Sequence, residues 1–449
     1  MEEKKLKQQI KVKKVVFSQL DENNLILKHV FNSLQNAKTL KEAIELTKEA
    51  FNILKKFYVF RNIKINFRFL ENSKRKQTQN CIVEITTIQK RPFPHFSMFP
   101  SFKDSNPFFN FQLSVINILN AGIISEKFRF SNNYEELHFG ISLPLIEKAK
   151  NGKFPQIHVW NSFGSNRNYF ENYLKDTFTS KWIYSSDILN HFDPNSFGIG
   201  RKNGVSLWSL IFQMRQNNSW ENDLSIQNLF RSTYKISLEH GYILDKRNSP
   251  QIPTKGWMFS TFNEIAGFSN FGKAHFFRND SRFQFHIPLG KYFSYNFMSK
   301  FNFVIPTKKK KDLIIDDQIF VEDSVPFRGF NYTTLSEDIF SDFDLKKNTS
   351  GNVFGLITGT LATNFNLFRR IPLSLFTFGS VGNLGKFRRK DFTFPNLFSF
   401  AKRSRMSFGV GIATRFRDYR LEVSYSIPFR LSPQNKPQNF NPLITFDLA

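Results

Sequence analysis

Over about the last 340 residues of this chain, every well-defined apolar pattern has a period of two. In Tyr419-Arg-Leu-Glu-Val-Ser-Tyr-Ser-Ile427 the odd positions are Tyr, Leu, Val, Tyr and Ile, and the even ones are Arg420, Glu422, Ser424 and Ser426. From Met406 to Phe416 the even positions are Met, Phe, Val, Ile, Thr and Phe, and the odd ones are Ser, Gly, Gly, Ala and Arg415. Tyr292 to Ile305 sets Phe293, Tyr295, Phe297, Phe301 and Phe303 on one side. Side chains alternate across a strand, so each segment reads as a strand with one apolar and one polar face. No helical period breaks the run, which narrows the fold to an all-β sandwich or barrel. The chain holds 57 Phe at a mean hydropathy of only -0.37, so its apolar residues are interleaved with polar ones. No run of about 18 apolar residues marks a membrane helix. Strands of a membrane barrel need only about ten alternating residues each. Their length and aromatic ends favour a barrel with one face for lipid and one for a watery lumen. About fifteen strands can be placed, ten before a polar insert at 306–352 and five after it. Antiparallel barrels of bacterial descent have even counts. The insert is expected to follow an eleventh strand, with the missing one inside 164–202, for about 16 antiparallel strands.

Residues 12–92 read differently. Lys11 to Phe17 suits a strand, and Asp21 can cap a helix over 23–36. Thr39 opens a second helix with Glu42 at capping-box spacing. Ile63 to Phe69 and Cys81 to Ile88 then alternate as strands. The order is strand, helix, helix, strand, strand, a small α+β unit whose sheet edges can accept another strand. It follows a basic tail at 1–11 and precedes a Pro/Phe-rich stretch at 93–106 read as a linker. The barrel is then expected over 107–449, with Phe109 to Leu119 as its first strand and Phe440 to Leu448 as its last.

The formal charge is +26, from 63 Lys and Arg against 37 Asp and Glu. The basic residues are scattered among aromatics without a compact basic helix or finger, so no nucleic-acid partner is expected. The N-terminus, Met1-Glu-Glu-Lys-Lys-Leu-Lys, has no apolar signal core, so export by a leader is not expected. Cys81 is the only cysteine, which excludes an intrachain disulfide, and the eight histidines form no metal-binding pair. Gly198 to Gly204 superficially resembles a phosphate loop but lacks its glycine spacing and following helix, and is read as a turn. Lys308 to Lys311 reads as a solvated tip, with Asp316, Asp317, Glu322 and Asp323 neutralising it. No nucleophile lies beside a base. Neither enzyme activity nor a cofactor or metal is expected.

Inside the insert, Val325-Pro-Phe-Arg328-Gly329-Phe330 sets one arginine between phenylalanines. Such a segment suits a loop folded back into a polar cavity, where a guanidinium finds fixed acceptors. Upstream lies the segment Asp245-Lys-Arg247-Asn248-Ser-Pro-Gln-Ile-Pro253-Thr-Lys-Gly256.

Taken in order, these features resemble the BamA-type outer-membrane assembly proteins, most nearly the central barrel subunits of the mitochondrial sorting and assembly machinery. The likeness covers nearly the whole chain. The 12–92 unit is similar to a single POTRA domain, Arg328-Gly329-Phe330 to the family's loop signature, and Asp245 to Gly256 to its turn motif. Phe376 to Leu384 and Arg420 to Pro428 resemble its late strands. Two departures stand out. Where bacterial relatives carry an acidic partner for the loop arginine, this chain has Ser380, which leaves another lumen carboxylate such as Glu422. The last strand has Asn441 where glycine is expected, and adds Pro442.

The resemblance implies an insertase for β-barrel precursors in the mitochondrial outer membrane, with its N-terminal domain in the intermembrane space. It implies accessory subunits of the sorting and assembly complex and outer-membrane lipids as partners. It also implies a lateral gate between first and last strands, assigned to Phe111, Leu113 and Val115 on one side and Asn441, Pro442, Ile444 and Phe446 on the other. The alternative is a passive pore or polypeptide-translocating channel of the same family.

Overall fold

The computed structural model describes residues 10–18, 25–56, 60–69, 79–89, 93–103, 106–118, 122–131, 134–148, 155–166, 173–187, 204–219, 233–248, 253–268, 272, 274–290, 292–308, 313, 317–320, 328–330, 336–337, 350–367, 371–387, 392–416, 419–429, 437–438 and 440–446. Asp21, Phe327, Asp316, Glu322, Asp323, the run from 309 to 311 and most of the 198–204 stretch lie outside them.

The N-terminal unit comprises β1 (Ile10–Ser18), α1 (Leu25–Phe31), α2 (Leu40–Lys56), β2 (Phe60–Phe69) and β3 (Gln79–Gln89). β3 lies between the other two strands, parallel to β1 and antiparallel to β2, so β1 and β2 are both edges. The Thr39 hydroxyl accepts from the Glu42 amide at 3.2 Å, while the Glu42 carboxylate turns back to the Lys38 amide at 2.9 Å. Together they satisfy donors at the start of α2. Ile26, Leu34, Ala43, Leu54, Cys81 and Val83 are buried together. Burial also pushes the Cys81 thiol above its ordinary pKa. Ile146, from the connection between the fourth and fifth strands of the second sheet, is buried in this same core.

That second sheet is an antiparallel meander in chain order. It runs β4 (Phe93–Lys103), β5 (Asn106–Ile118), β6 (Gly122–Ser131), β7 (Tyr134–Pro144), β8 (Gln156–Asn166), β9 (Tyr173–Ser185), β10 (Val205–Ser219) and β11 (Thr233–Asp245). It continues β12 (Gly256–Ala266), β13 (Phe276–Leu289), β14 (Phe293–Pro306), β15 (Val353–Leu367), β16 (Ile371–Gly385), β17 (Arg405–Phe416), β18 (Tyr419–Pro428) and β19 (Phe440–Phe446). A helix, α3 (Phe394–Lys402), stands between β16 and β17. Connections alternate between the two ends of the sheet. The one carrying Ile146 is at the near end; the insert after β14 and α3 after β16 are at the far end.

The stretch read as a linker is therefore strand. Pro94 pairs with Val115 and Pro100 with Phe109, and Pro94, Phe96, Met98, Pro100 and Phe102 fall at alternate positions along β4. The two prolines masked a period-two pattern. β4 supplies the extra strand before the insert; among the described residues 164–202 holds only the end of β8 and all of β9. Residues 109–118 belong to the second strand of the meander, and Leu119 lies outside the described residues. β19 and β4 are neighbours in the sheet order, but their contact is far thinner than that of any other adjacent pair.

Burial inverts the usual rule. On β18 Val423, Tyr425 and Ile427 are exposed while Glu422, Ser424 and Ser426 are buried; on β17 Met406, Phe408, Val410 and Ile412 are exposed. A wall of large apolar side chains facing outward, with polar ones facing in, has no place in water. Among the described residues no helix is long and apolar enough to cross a membrane.

Candidate functional site

The polar face of β15 to β18 receives the insert. Arg328 is buried there, its Nε donating to Glu422 Oε1 at 2.8 Å and its Nη2 donating to the same oxygen. Ser407 donates its hydroxyl proton to the Arg328 carbonyl. The guanidinium lies over two rings, Phe378 at 4.7 Å and Phe376 at 5.3 Å from its centre. A cation over two phenyl faces and against a carboxylate, all out of water, is held by electrostatics that water would screen. Such a pair is costly to break, because the survivor becomes an unpaired buried charge.

Alternation explains how the wall makes this cradle. Phe376 and Phe378 occupy polar-face positions of β16, opposite Gly411 and Gly409 of β17. A Cβ at Gly411 would land on the Phe376 ring, and one at Gly409 would come within 2.7 Å of Phe378. The two glycines leave the space in which the two rings lie. Glu422 stands opposite Ala413, the next small residue along β17. Ser380 is on the same face but is buried against Thr358, hydroxyl to hydroxyl at 3.1 Å. Of the two partners weighed for Arg328, the geometry selects Glu422. Gly329 and Phe330 continue as a two-residue ladder with Gln438 and Pro437, just before β19.

A second anchor was not read from the sequence. Asp317 is buried, with Oδ1 accepting from Arg215 Nη2 at 2.7 Å and its carbonyl from Arg278 Nη2 at 2.7 Å. Around it, Lys235 donates to Glu264 at 2.8 Å and Ser237 to the same carboxylate at 2.6 Å. Arg278 and Lys235 both lie over Phe276. Among the described residues Asp317 docks on the basic polar face of β10 to β13. The signal available was parity, since Arg215, Lys235, Glu264 and Arg278 all fall on polar positions of their strands.

The turn motif braces the β11–β12 connection. Arg247 clasps Asp245 with Nε at 3.0 Å and Nη2 at 2.7 Å, and reaches Gln284 at 2.8 Å. Asn248 Oδ1 accepts from the Thr254 and Lys255 amides at 3.0 and 3.1 Å. Pro253 is buried, and Gly256 has a φ of 104°, where a side chain would be strained and would strike Lys246. These residues hold a hairpin and present no reactive group.

The seam assignment is corrected on one side. Phe111, Leu113 and Val115 lie on β5, paired with Met98, Phe96 and Pro94 of β4, so they are one strand removed from the seam. Asn441, Pro442, Ile444 and Phe446 lie on β19, opposite Ser424, Val423, Leu421 and Tyr419. Among the described strands, Pro100 and Pro442 are the only prolines more than one residue inside an end, and they sit on the two strands that flank the seam.

An Omp85 superfamily domain profile matches residues 159–444. This chain belongs to the Omp85 superfamily. Among relatives, a mouse (Mus musculus) protein described as sorting and assembly machinery component 50 homolog is 22% identical over 67% of this chain and 61% of its own. The chain thus spans about three fifths of that relative. The Xenopus tropicalis homolog is 21% identical over 90% of this chain and 82% of its own. Among solved structures, BamA from Haemophilus ducreyi lacking POTRA domains 1–3 aligns over 97% of this chain and 84% of its own. Its TM-score is 0.71 at 13% identity. CdiB from Escherichia coli aligns over 97% and 76%, with a TM-score of 0.55 at 12% identity. The Omp85 fold is therefore shared across widely diverged sequences, with the cradle for Arg328 built inside it.

Proposed function

We propose that this Omp85 protein is a membrane insertase for β-barrel precursors in the mitochondrial outer membrane. It works as a closed barrel of sixteen strands, opening laterally between β4 and β19. The observation that carries the reading is the seam, where thin contact meets one interior proline on each strand. Proline cannot donate to a ladder, so it weakens pairing wherever a partner strand needs its amide. Each net backbone bond contributes only about 0.5–1.5 kcal/mol, so a short seam opens thermally while the other pairs hold. A precursor strand in lipid must not expose its backbone, at several kcal/mol per unpaired group, and an open seam supplies the missing ladder. The N-terminal sheet, a single POTRA-like unit in the intermembrane space, offers two free edges for receiving clients. Unfolded precursors, accessory subunits of a sorting and assembly complex and lipids are the partners in this reading; it names no cofactor and no catalysed bond chemistry.

The test is reconstitution of the full chain with Cys81→Ala and one cysteine on each of 94–102 and 440–446. A cleanly oxidised pair should leave the protein folded but halt client assembly, with recovery on reduction. Equal assembly rates in both forms exclude the gate. A constant open conductance with no acceleration of client assembly supports instead a passive or translocating pore.

A further inference from the structure

Helix α3 lies on the apolar face of the sheet, not on the polar one. Val353 pairs with Phe303 across β15 and β14, and Phe303 shares its face with the exposed Phe301 and Tyr295. Yet Val353 is fully buried, because Phe387 and Phe400 cover it with Phe392 and Leu397 beside them. Phe387 and Phe400 meet edge to face at 5.5 Å. Asn383 and Gly385, on the same face of β16, are also buried: Asn383 Nδ2 donates to the Phe400 carbonyl at 3.2 Å, and the Phe400 ring crosses Gly385. One side of the helix, Leu397 and Phe400, is thus spent on the sheet.

A second side is not. Phe394, Phe398 and Ala401 recur at helical spacing and are exposed, Phe394 at 83%. Lys402 Nζ lies 5.1 Å from the Phe398 ring centre. The connection from 386 to 403 holds six basic residues and one acidic one, and Lys402 and Arg403 at the helix end are exposed. An exposed aromatic stripe with cations at its edge suits the boundary between headgroups and acyl chains. Basic residues there favour anionic headgroups. The far-end connections hold both α3 and the insert, so this contact lies in the leaflet opposite the N-terminal domain.

We infer that α3 is an interfacial anchor whose Phe394 and Phe398 enter the outer-leaflet headgroup region while Lys402 and Arg403 bind anionic phospholipid there. This rests on the membrane reading above. It gives the gate a fixed depth reference three strands away, on the β16–β17 connection.

The test uses the full chain with Cys81→Ala and a single fluorophore on Ala401→Cys, in phosphatidylcholine vesicles with and without phosphatidylglycerol. Val410→Cys on the apolar face of β17 reports the barrel's depth, and Lys308→Cys reports water. Interfacial nitroxide lipids should quench the 401 label, more strongly by about twofold in the anionic vesicles, with the excess lost in Lys402→Gln/Arg403→Gln and at high salt. The 308 label should stay unquenched. No quenching at 401 while 410 is quenched by deep nitroxides overturns the anchor and leaves the barrel standing. Equal quenching in both vesicle types overturns anionic recognition, and protection appearing only when a precursor is added makes this face a protein-docking surface instead. Failure at 410 removes the membrane reading, and the anchor with it.

Discussion

A buried guanidinium that loses its carboxylate has nowhere to put its charge, which makes Arg328 and Glu422 a unit. Removing either partner of a buried pair costs about 3–5 kcal/mol. Arg328→Ala and Glu422→Ala should therefore each speed proteolysis of the 306–352 insert by at least about tenfold, since 1.4 kcal/mol is a factor of ten. The double variant should be no worse than the worse single one; additive losses would show that the two residues act separately. Arg328→Lys should behave nearly as badly, because an ammonium lacks the planar face that lies over Phe376 and Phe378. Gly411→Ala should mimic these variants by displacing the Phe376 ring, and Phe376→Leu should partly relieve it, both read by the same protease assay. Arg328 and Glu422 could be picked out in the sequence because a cation among phenylalanines and an acid on a strand's polar face are each out of place alone. Phe376 and Phe378 could not, since aromatic residues on a polar face gain meaning only when glycines stand opposite on the next strand. Asp317 was hidden by four nearby lysines that offered a cheaper explanation of its charge.

At the scale of elements, alternation located nearly every strand, and Tyr419 to Ile427 shows why: five apolar residues at odd positions allow only one facing. β4 escaped because proline usually marks a break, and strand pairing is a long-range fact that composition does not carry. The insert is tied to the sheet at several points. Besides Asp317 and Arg328, Ser336 and Glu337 pair with Leu384 and Gly385 of β16, while Ile319 and Phe320 pair with Gly351 and Ser350 within the insert itself. Arg328 follows Asp317 by eleven positions, a reach of at most about 36–40 Å, so the insert can bridge one part of the polar face to another. Asp317→Asn should release the upstream half, detected as new cleavage near 309–320, while cleavage beyond 328 stays slow. Simultaneous release of both halves would mean that the anchors are one cooperative lock.

For the whole molecule, the burial of Ile146 in the N-terminal core joins the two sheets, a contact that separate periodicities in the sequence gave no reason to expect. A single isoleucine contributes about 1.5–3 kcal/mol when fully buried, too little to decide whether the larger sheet forms. A chain starting at residue 93 should thus still migrate as a heat-modifiable barrel, whereas loss of that species would show that the N-terminal domain templates the strands. Ile146→Asp in the full chain should loosen the domain, measured as faster cleavage between 89 and 93, without changing heat modifiability. The exposed row of Val410, Ile412, Val423, Tyr425 and Ile427 also bears on inheritance. On the proposed reading this protein presents lipid with the same kind of surface as its own clients, so each new copy is itself a client of copies already in place. A membrane from which the last working copy has been lost should then not recover it from newly made chains alone, and the ability to assemble barrels passes from membrane to membrane as a growing and dividing lineage.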